Sequence, residues 1–392
     1  MTGRRIVLAA GGTGGHMFPA HALGQELVRR GHAIALVTDE RGQGYPGLFE
    51  GVPTHVVDSG TATGGGPLRA VMAGLKVLAG ARHARRLLAD DRPAAVVGFG
   101  GYPALPAMLA ARSLSIPYCI HEQNAVLGRA NRLMAGRAAA IATSFVTTRR
   151  LSGRAGRRAV ATGNPVREAV AALHGEPYPT LGEAGLIRLL VIGGSQGARV
   201  LSDVVPAALT LLPAAIQRRL QVTQQCRPED MDRTRRVFDQ AGIAAELATF
   251  LEDMPERLRW CHLVVARAGA STLAELTAAG RPSVLVPLAI AADDHQTANA
   301  EGLAQAGGAW VLSEPTFTPA ALAKQLHTLL AVPDRLTTAA EAARGQGRPG
   351  AVHALADLVE RIAAGGTARD TARAAGDGTV SGPPTPERRV PA

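Results

Sequence analysis

RIVLAAGGTGGH, residues 5–16, and RLLVIGGSQGAR, residues 188–199, are the two stretches on which the fold turns. Each begins with an apolar run of strand length, breaks into a glycine loop and continues into a helical pattern. Glycines in such a loop let backbone N–H groups approach an anion, and the helix that follows adds a favourable field at its N-terminus. A tight turn with no ligand is the plainer reading of either loop alone. Two loops in corresponding places of two halves carry more weight.

Working outward from the first loop, candidate strands at 5–10, 33–37, 55–57, 94–98, 118–121, 139–142 and 159–162 alternate with helical patterns at 19–30, 68–89 and 104–114. The pattern restarts after Asn164-Pro165, with strands near 188–192, 219–223, 246–249, 263–265, 283–286 and 309–312. Two successive alternations predict an α/β chain of two doubly wound, Rossmann-like domains facing a cleft. The expected divisions are 1–165, 166–345, a C-terminal helix over 350–364 packing back on the first domain, and a tail over 365–392. The tail is polar and rich in Gly and Pro, which predicts disorder.

The 392-residue chain is 46% hydrophobic, enough for two sizeable cores. No apolar run approaches the roughly 20 residues of a membrane helix. The apolar start runs straight into a glycine loop, as a buried first strand does and a signal peptide does not. Cys119, Cys226 and Cys261 are far apart, which argues against a disulfide or zinc framework and for a reducing, cytoplasmic setting. The net charge is +10, and 40 of the 42 basic residues are arginine. Residues 129–167 hold nine arginines and no acid, and 67–93 carry a net +4. Such a half suits nucleic acid, an anionic bilayer or a phosphate-bearing substrate. Aromatic content of 3% leaves few stacking platforms and disfavours nucleic acid.

Seven motifs follow one another: GGTGGH at 11–16, GFGGYP at 98–103, HEQN at 121–124, GNPVR at 163–167, GGSQGAR at 193–199, RAGAST at 267–272 and DDHQ at 293–296. The series closely resembles the N-acetylglucosaminyltransferases of peptidoglycan precursor synthesis, in glycosyltransferase family 28, over about residues 4–364. The resemblance implies a GT-B fold and an inverting transfer from UDP-N-acetylglucosamine to the C4 hydroxyl of lipid I (undecaprenyl-pyrophosphoryl-N-acetylmuramoyl-pentapeptide), giving lipid II. It implies no cofactor and no metal. It also implies that Thr13, Gly14, Gly15, Asn124 and Arg167 line the donor sugar and diphosphate. Ser195 matches a phosphate contact, Leu251 a backbone contact to uracil, and Gln296 a contact to the sugar. The run Ala270, Ser271, Thr272, Leu273, Ala274 and Glu275 matches the α-phosphate and ribose segment. One departure stands at Gln224-Gln225-Cys226-Arg227, where the family usually has a His-Gln-Thr/Ser-Gly run.

An inverting transfer needs one base to take the acceptor proton. His16, at the lip of the first loop, is the leading candidate, with Glu122 of HEQN as competitor. Each has a plainer role: His16 as a hydrogen-bonding residue, Glu122 as a loop brace. Glu275 near a helix start is suited to two ribose hydroxyls, or to simple helix-dipole stabilisation. Asp293-Asp294-His295 is discounted as a metal site, because adjacent residues rarely converge on one ion. In 67–88, Leu68, Val71, Met72, Leu75 and Leu78 recur at helical spacing among basic residues. The stripe fits either the protein core or an anionic inner-leaflet membrane surface, with peripheral attachment at the cytoplasmic face. Alternative functions are another GT-B glycosyltransferase, a UDP-N-acetylglucosamine 2-epimerase, or a nicotinamide enzyme using Asp39 or Glu40. Met17, where a third fingerprint glycine would fall, argues against the last.

Overall fold

A computed structural model describes residues 3–45, 47–60, 67–182, 184–195 and 197–366. The expected tail therefore falls, from residue 367 onward, outside the described residues. The first half contains strands β1 (Arg5–Ala9), β2 (Ala33–Thr38), β3 (Thr54–Val56), β4 (Ala95–Gly98), β5 (Tyr118–Glu122), β6 (Ala140–Thr143) and β7 (Ala159–Ala161). They form one sheet in the order β3-β2-β1-β4-β5-β6-β7, every pairing parallel. The second half contains β8 (Ile187–Ile192), β9 (Leu220–Gln225), β10 (Ala244–Ala248), β11 (Leu263–Ala266), β12 (Ser283–Leu285) and β13 (Ala309–Val311). Their order is β10-β9-β8-β11-β12-β13, again all parallel. Central strands such as β1 and β8 are runs of Ile, Val and Leu because helices cover both faces.

In each sheet the strand order reverses beside the first strand, at β1/β4 and at β8/β11. Diverging connections leave a crevice at the carboxyl edge there, where ligands of open α/β sheets bind. The loops after β1 and β8 are the two glycine loops of the sequence.

The helix after the first loop spans Gly14–Arg29, starting earlier than the expected 19–30. Gly14 and Gly15 already belong to its first turn, and Pro19 lies inside it. Proline has no N–H to give to the carbonyl four residues back, so the Gly15 carbonyl is left unclaimed within the helix. It accepts a hydrogen bond from Ser271 Oγ of the second domain at 3.4 Å.

The chain crosses between domains at 162–167 and returns near 346–350. The two segments touch at Gly163, which has φ +86° and where a Cβ would lie 2.7 Å from Arg348 Cβ. Glycine is required there both by conformation and by space. The terminal helix Ala351–Ala363 then lies on the first sheet, burying Leu355, Leu358, Val359 and Ile362 against Ile6, Leu8, Leu23 and Val97. Its polar edge is tied down as well: Arg30 reaches Asp357 at 2.6 Å and Glu360 at 2.8 Å, and His353 Nδ1 meets Glu26 at 2.9 Å. Replacing Leu358 by Ala is expected to cost about 2–5 kcal/mol of stability, read from urea unfolding of the full chain.

Candidate active site

The two glycine loops face one another across a cleft of about 480 Å³. A Cβ on Gly14 would sit 3.4 Å from Ser195 Cβ, which measures how closely the halves approach. Of the residues singled out in the sequence, Thr13, Gly14, Gly15, His16, Asn124, Arg167, Ser195, Leu251, Ala270, Ser271, Thr272, Glu275 and Gln296 line this one cleft. Leu273 and Ala274 do not. They lie on the far side of helix Ala270–Ala279, in a separate groove with Phe145 and Leu303, because a helix turns successive side chains away from any one face.

The cleft is held shut by polar pairs between the domains. Asn299 is fully buried and donates Nδ2–H to Asn124 Oδ1 and to the Ala268 carbonyl, both at 3.1 Å. Its Oδ1 accepts the Ala125 N–H at 2.8 Å. Asp293, at a left-handed φ of 57°, is surrounded by Arg150 at 2.7 Å, Arg132 at 3.1 Å and Arg129 at 3.5 Å. Those guanidiniums hold its carboxyl below the usual range against the opposing effect of burial. Arg149 pairs with Glu301 at 2.5 Å and Arg167 with Glu275 at 2.9 Å. Four of the nine arginines in 129–167 thus face carboxylates of the second domain across the cleft, and a fifth, Arg167, pairs with Glu275 at the crossing.

Around the first loop, Asp39 is not a free ribose acid: its Oδ1 accepts the N–H groups of Gly12 and Gly42, each at 3.0 Å. Glu122 is buried, and its Oε1 takes the Asn124 N–H at 3.0 Å and Asn124 Nδ2 at 3.3 Å. Its Oε2 takes the Gly128 N–H and Asn131 Nδ2, both at 2.8 Å. Four donors and no access to the cleft make Glu122 a brace for 122–131, which corrects its candidacy as base. His16 is half-buried, with Nδ1 3.1 Å from Gln123 Oε1. Burial lowers its pKa below the ordinary imidazole value, while the Glu122 charge, Gln123 and the Phe99 carbonyl oppose that and His295 adds to it.

Glu275 carries the opposite shift: burial raises its carboxyl, and the Arg167 guanidinium works against the rise. Gln225, in the departing Gln224-Gln225-Cys226-Arg227 run, accepts the Gly193 N–H at 3.1 Å and donates to the Thr249 carbonyl at 3.3 Å. It therefore supports the second glycine loop. Sequence reading missed Gln123, Gln225, Phe250 and Asn299. Asn299 had one available signal, its place one turn beyond Gln296 on the same helix; Phe250 had only its position beside Leu251.

Known proteins match this arrangement. The description "Glycosyltransferase family 28 N-terminal domain" covers residues 6–143, and "Glycosyltransferase family 28 C-terminal domain" covers 188–362. A UDP-N-acetylglucosamine--N-acetylmuramyl-(pentapeptide) pyrophosphoryl-undecaprenol N-acetylglucosamine transferase of Zymomonas mobilis is 53% identical over 92% of this chain and 92% of its own. The protein of the same description from Erythrobacter litoralis is 55% identical over 92% and 91%. Among solved structures, Acinetobacter baumannii MurG is 31% identical with a TM-score of 0.72, covering 91% of this chain and 99% of that one.

Glu122→Gln sets an amide N–H donor against N–H donors and is expected to destabilise the fold by about 1–3 kcal/mol, measured by thermal and urea unfolding. Turnover above neutral pH should fall far less than the 10²–10⁴-fold expected on removing a base. A loss of that size with stability intact would restore Glu122 to that role.

Proposed function

The chain belongs to glycosyltransferase family 28, and from that membership we infer its reaction: it moves N-acetylglucosamine from UDP-N-acetylglucosamine to lipid I, giving lipid II for peptidoglycan synthesis. The observation that carries this reading is the interdomain cleft, in which the glycine loops of the two halves face two histidines, His16 and His295, and one partly exposed carboxylate–arginine pair.

The donor is assigned mainly to the second domain. The backbone at Leu251 receives the uracil, Glu275 the ribose hydroxyls, and Ser195 with the N-terminus of helix Ala270–Ala279 the diphosphate. Arg167, already paired to Glu275, is assigned to neutralise the charge that grows on departing UDP. Thr13, Gly14, Gly15, Asn124 and Gln296 surround the sugar. The acceptor approaches along the first domain, and its C4 hydroxyl attacks the anomeric carbon from the face opposite UDP, with inversion. His16 takes the hydroxyl proton. Its lowered pKa keeps the imidazole neutral, and so able to accept a proton, throughout the neutral range.

The lipid tail needs a surface. Helix Pro67–Asp91 turns one apolar face outward: Val71, Met72, Leu75 and Leu78 are 50–60% exposed, while Ala73, Ala84 and Leu88 are buried beneath. Lys76, Arg82, Arg85 and Arg86 flank the exposed stripe. The side chain of Leu68 lies outside the described residues. Among the described residues no helix is long and apolar enough to cross a membrane. The exposed stripe and its basic flank support peripheral attachment at the cytoplasmic face of the plasma membrane, through apolar insertion plus about 1 kcal/mol per basic residue near anionic lipid.

Labelled N-acetylglucosamine is expected to pass from its UDP donor to a lipid I analogue without added metal. Epimerised sugar nucleotide, or UDP release without the acceptor, would point to a different GT-B enzyme. His16→Ala should cut turnover about 10²–10⁴-fold with donor binding kept. In the wild type, kcat/KM should rise with pH through the His16 pKa, which places the acid limb below about 6.5. Co-sedimentation with anionic vesicles should weaken as salt rises, and salt-insensitive binding would contradict its electrostatic part.

A further inference from the structure

The neutral imidazole of His16 has two tautomers, and only the one with its proton on Nδ1 leaves Nε2 free to accept a proton. The amide partnering Nδ1 has a determined orientation. Gln123 Nε2 lies 3.2 Å from the His121 main-chain carbonyl, which can only accept, so the amide nitrogen faces His121 and the amide oxygen faces His16. The same Nε2 is 3.0 Å from His121 Nδ1. That ring nitrogen must therefore accept, which puts the His121 proton on Nε2, where it is 3.2 Å from the Gly163 carbonyl. His121 is fully buried and Gln123 nearly so, and burial lowers the His121 pKa to about 4, so the ring stays neutral.

We propose that Gln123 and His121 are positioning residues that hold His16 in its Nδ1–H tautomer, through a directional hydrogen-bond chain anchored on the Gly163 carbonyl of the interdomain crossing. The proposal rests on His16 being the base. It adds that the base is set from the hinge: Gly163 is wedged against Arg348 by its own lack of a side chain, and its carbonyl orients the His121 end of the chain. The charged and titratable groups facing His16 are Glu122, from the end of β5, and His295, from the second domain. Neither is a member of the chain. Each of its links joins one donor to one acceptor, so reversing any link would set two acceptors or two donors against each other.

The test uses the full-length enzyme with histidine labelled with ¹⁵N. Two-bond nitrogen–proton spectra should assign His16 to the Nδ1–H form in the wild type and to a mixture or the Nε2–H form in Gln123→Leu. Gln123→Leu should lower kcat by about 10²-fold, at the low end of what a positioned base supplies, with the KM for UDP-N-acetylglucosamine and the affinity for UDP unchanged. Gln123→Glu keeps an acceptor for Nδ1–H, adds a negative charge and gives up the donor toward His121. It should recover part of kcat and move the acid limb of the pH profile upward, because an adjacent carboxylate favours the charged imidazole. A merely structural role would lower stability and donor affinity in both variants without moving that limb. An Nε2–H tautomer in the wild type, or a Gln123→Leu kcat within threefold of wild type, overturns the proposal. If His16→Ala retains turnover, the role of His16 as base fails, while the tautomer assignment is still read from the spectra.

Discussion

The buried amide of Asn299 is the contact on which the site depends. It lies on a helix of the second domain, yet it donates to Asn124 Oδ1 and accepts the Ala125 N–H of the first and also holds the Ala268 carbonyl of its own. A buried amide with a missing partner is costly, so these three hydrogen bonds are satisfied together only when the two carboxyl edges face each other at one distance. Around it the arginines of the first domain meet Asp293 and Glu301, and Arg167 of the crossing meets Glu275. These partly exposed pairs add direction more than stability. The cleft is the space left between edges held in this way.

The backbone contributes to the same closure through a missing donor. Pro19 cannot bond back to Gly15, so a carbonyl at the mouth of the first loop remains available and Ser271 takes it. Ser271 belongs to the first turn of the helix whose N-terminus is assigned to the diphosphate. The loop that carries His16 and the helix assigned to the leaving group are therefore tied directly to each other. A donor entering the cleft meets both at once.

The carboxylates of the region are sorted by environment. Glu122 and Asp39 are taken up by N–H groups of the loops they support, and Asp293 by three guanidiniums. Glu275 keeps a place on the cleft wall beside Arg167. His16 also lies on that wall, with a pKa lowered by burial. The division between bracing and chemistry follows from which groups already have their hydrogen bonds satisfied.

The alternation of strands and helices, the two glycine loops and the order of seven motifs are local properties, and the sequence alone determined them. Strand periods and turn residues act over a few positions, so β1 and β8 and the loops after them were legible where they occur. The sequence alone also limited the chemistry to phosphate-bearing ligands and named most of the cleft. Tertiary structure decided the rest. Whether Glu122 is base or brace depends on Gly128 and Asn131 folding back over it. The facing of Leu273 and Ala274 depends on how their helix is rotated against its neighbours. The arginines of 129–167 look free in one dimension because their carboxylates lie 108 to 164 positions away, as from Arg167 to Glu275 or from Arg129 to Asp293. The stripe at 71–78 reads equally as core or as surface until the fold shows which face its helix buries. Pairing, burial and orientation are fixed by contacts between residues far apart in the chain, and no local pattern records them.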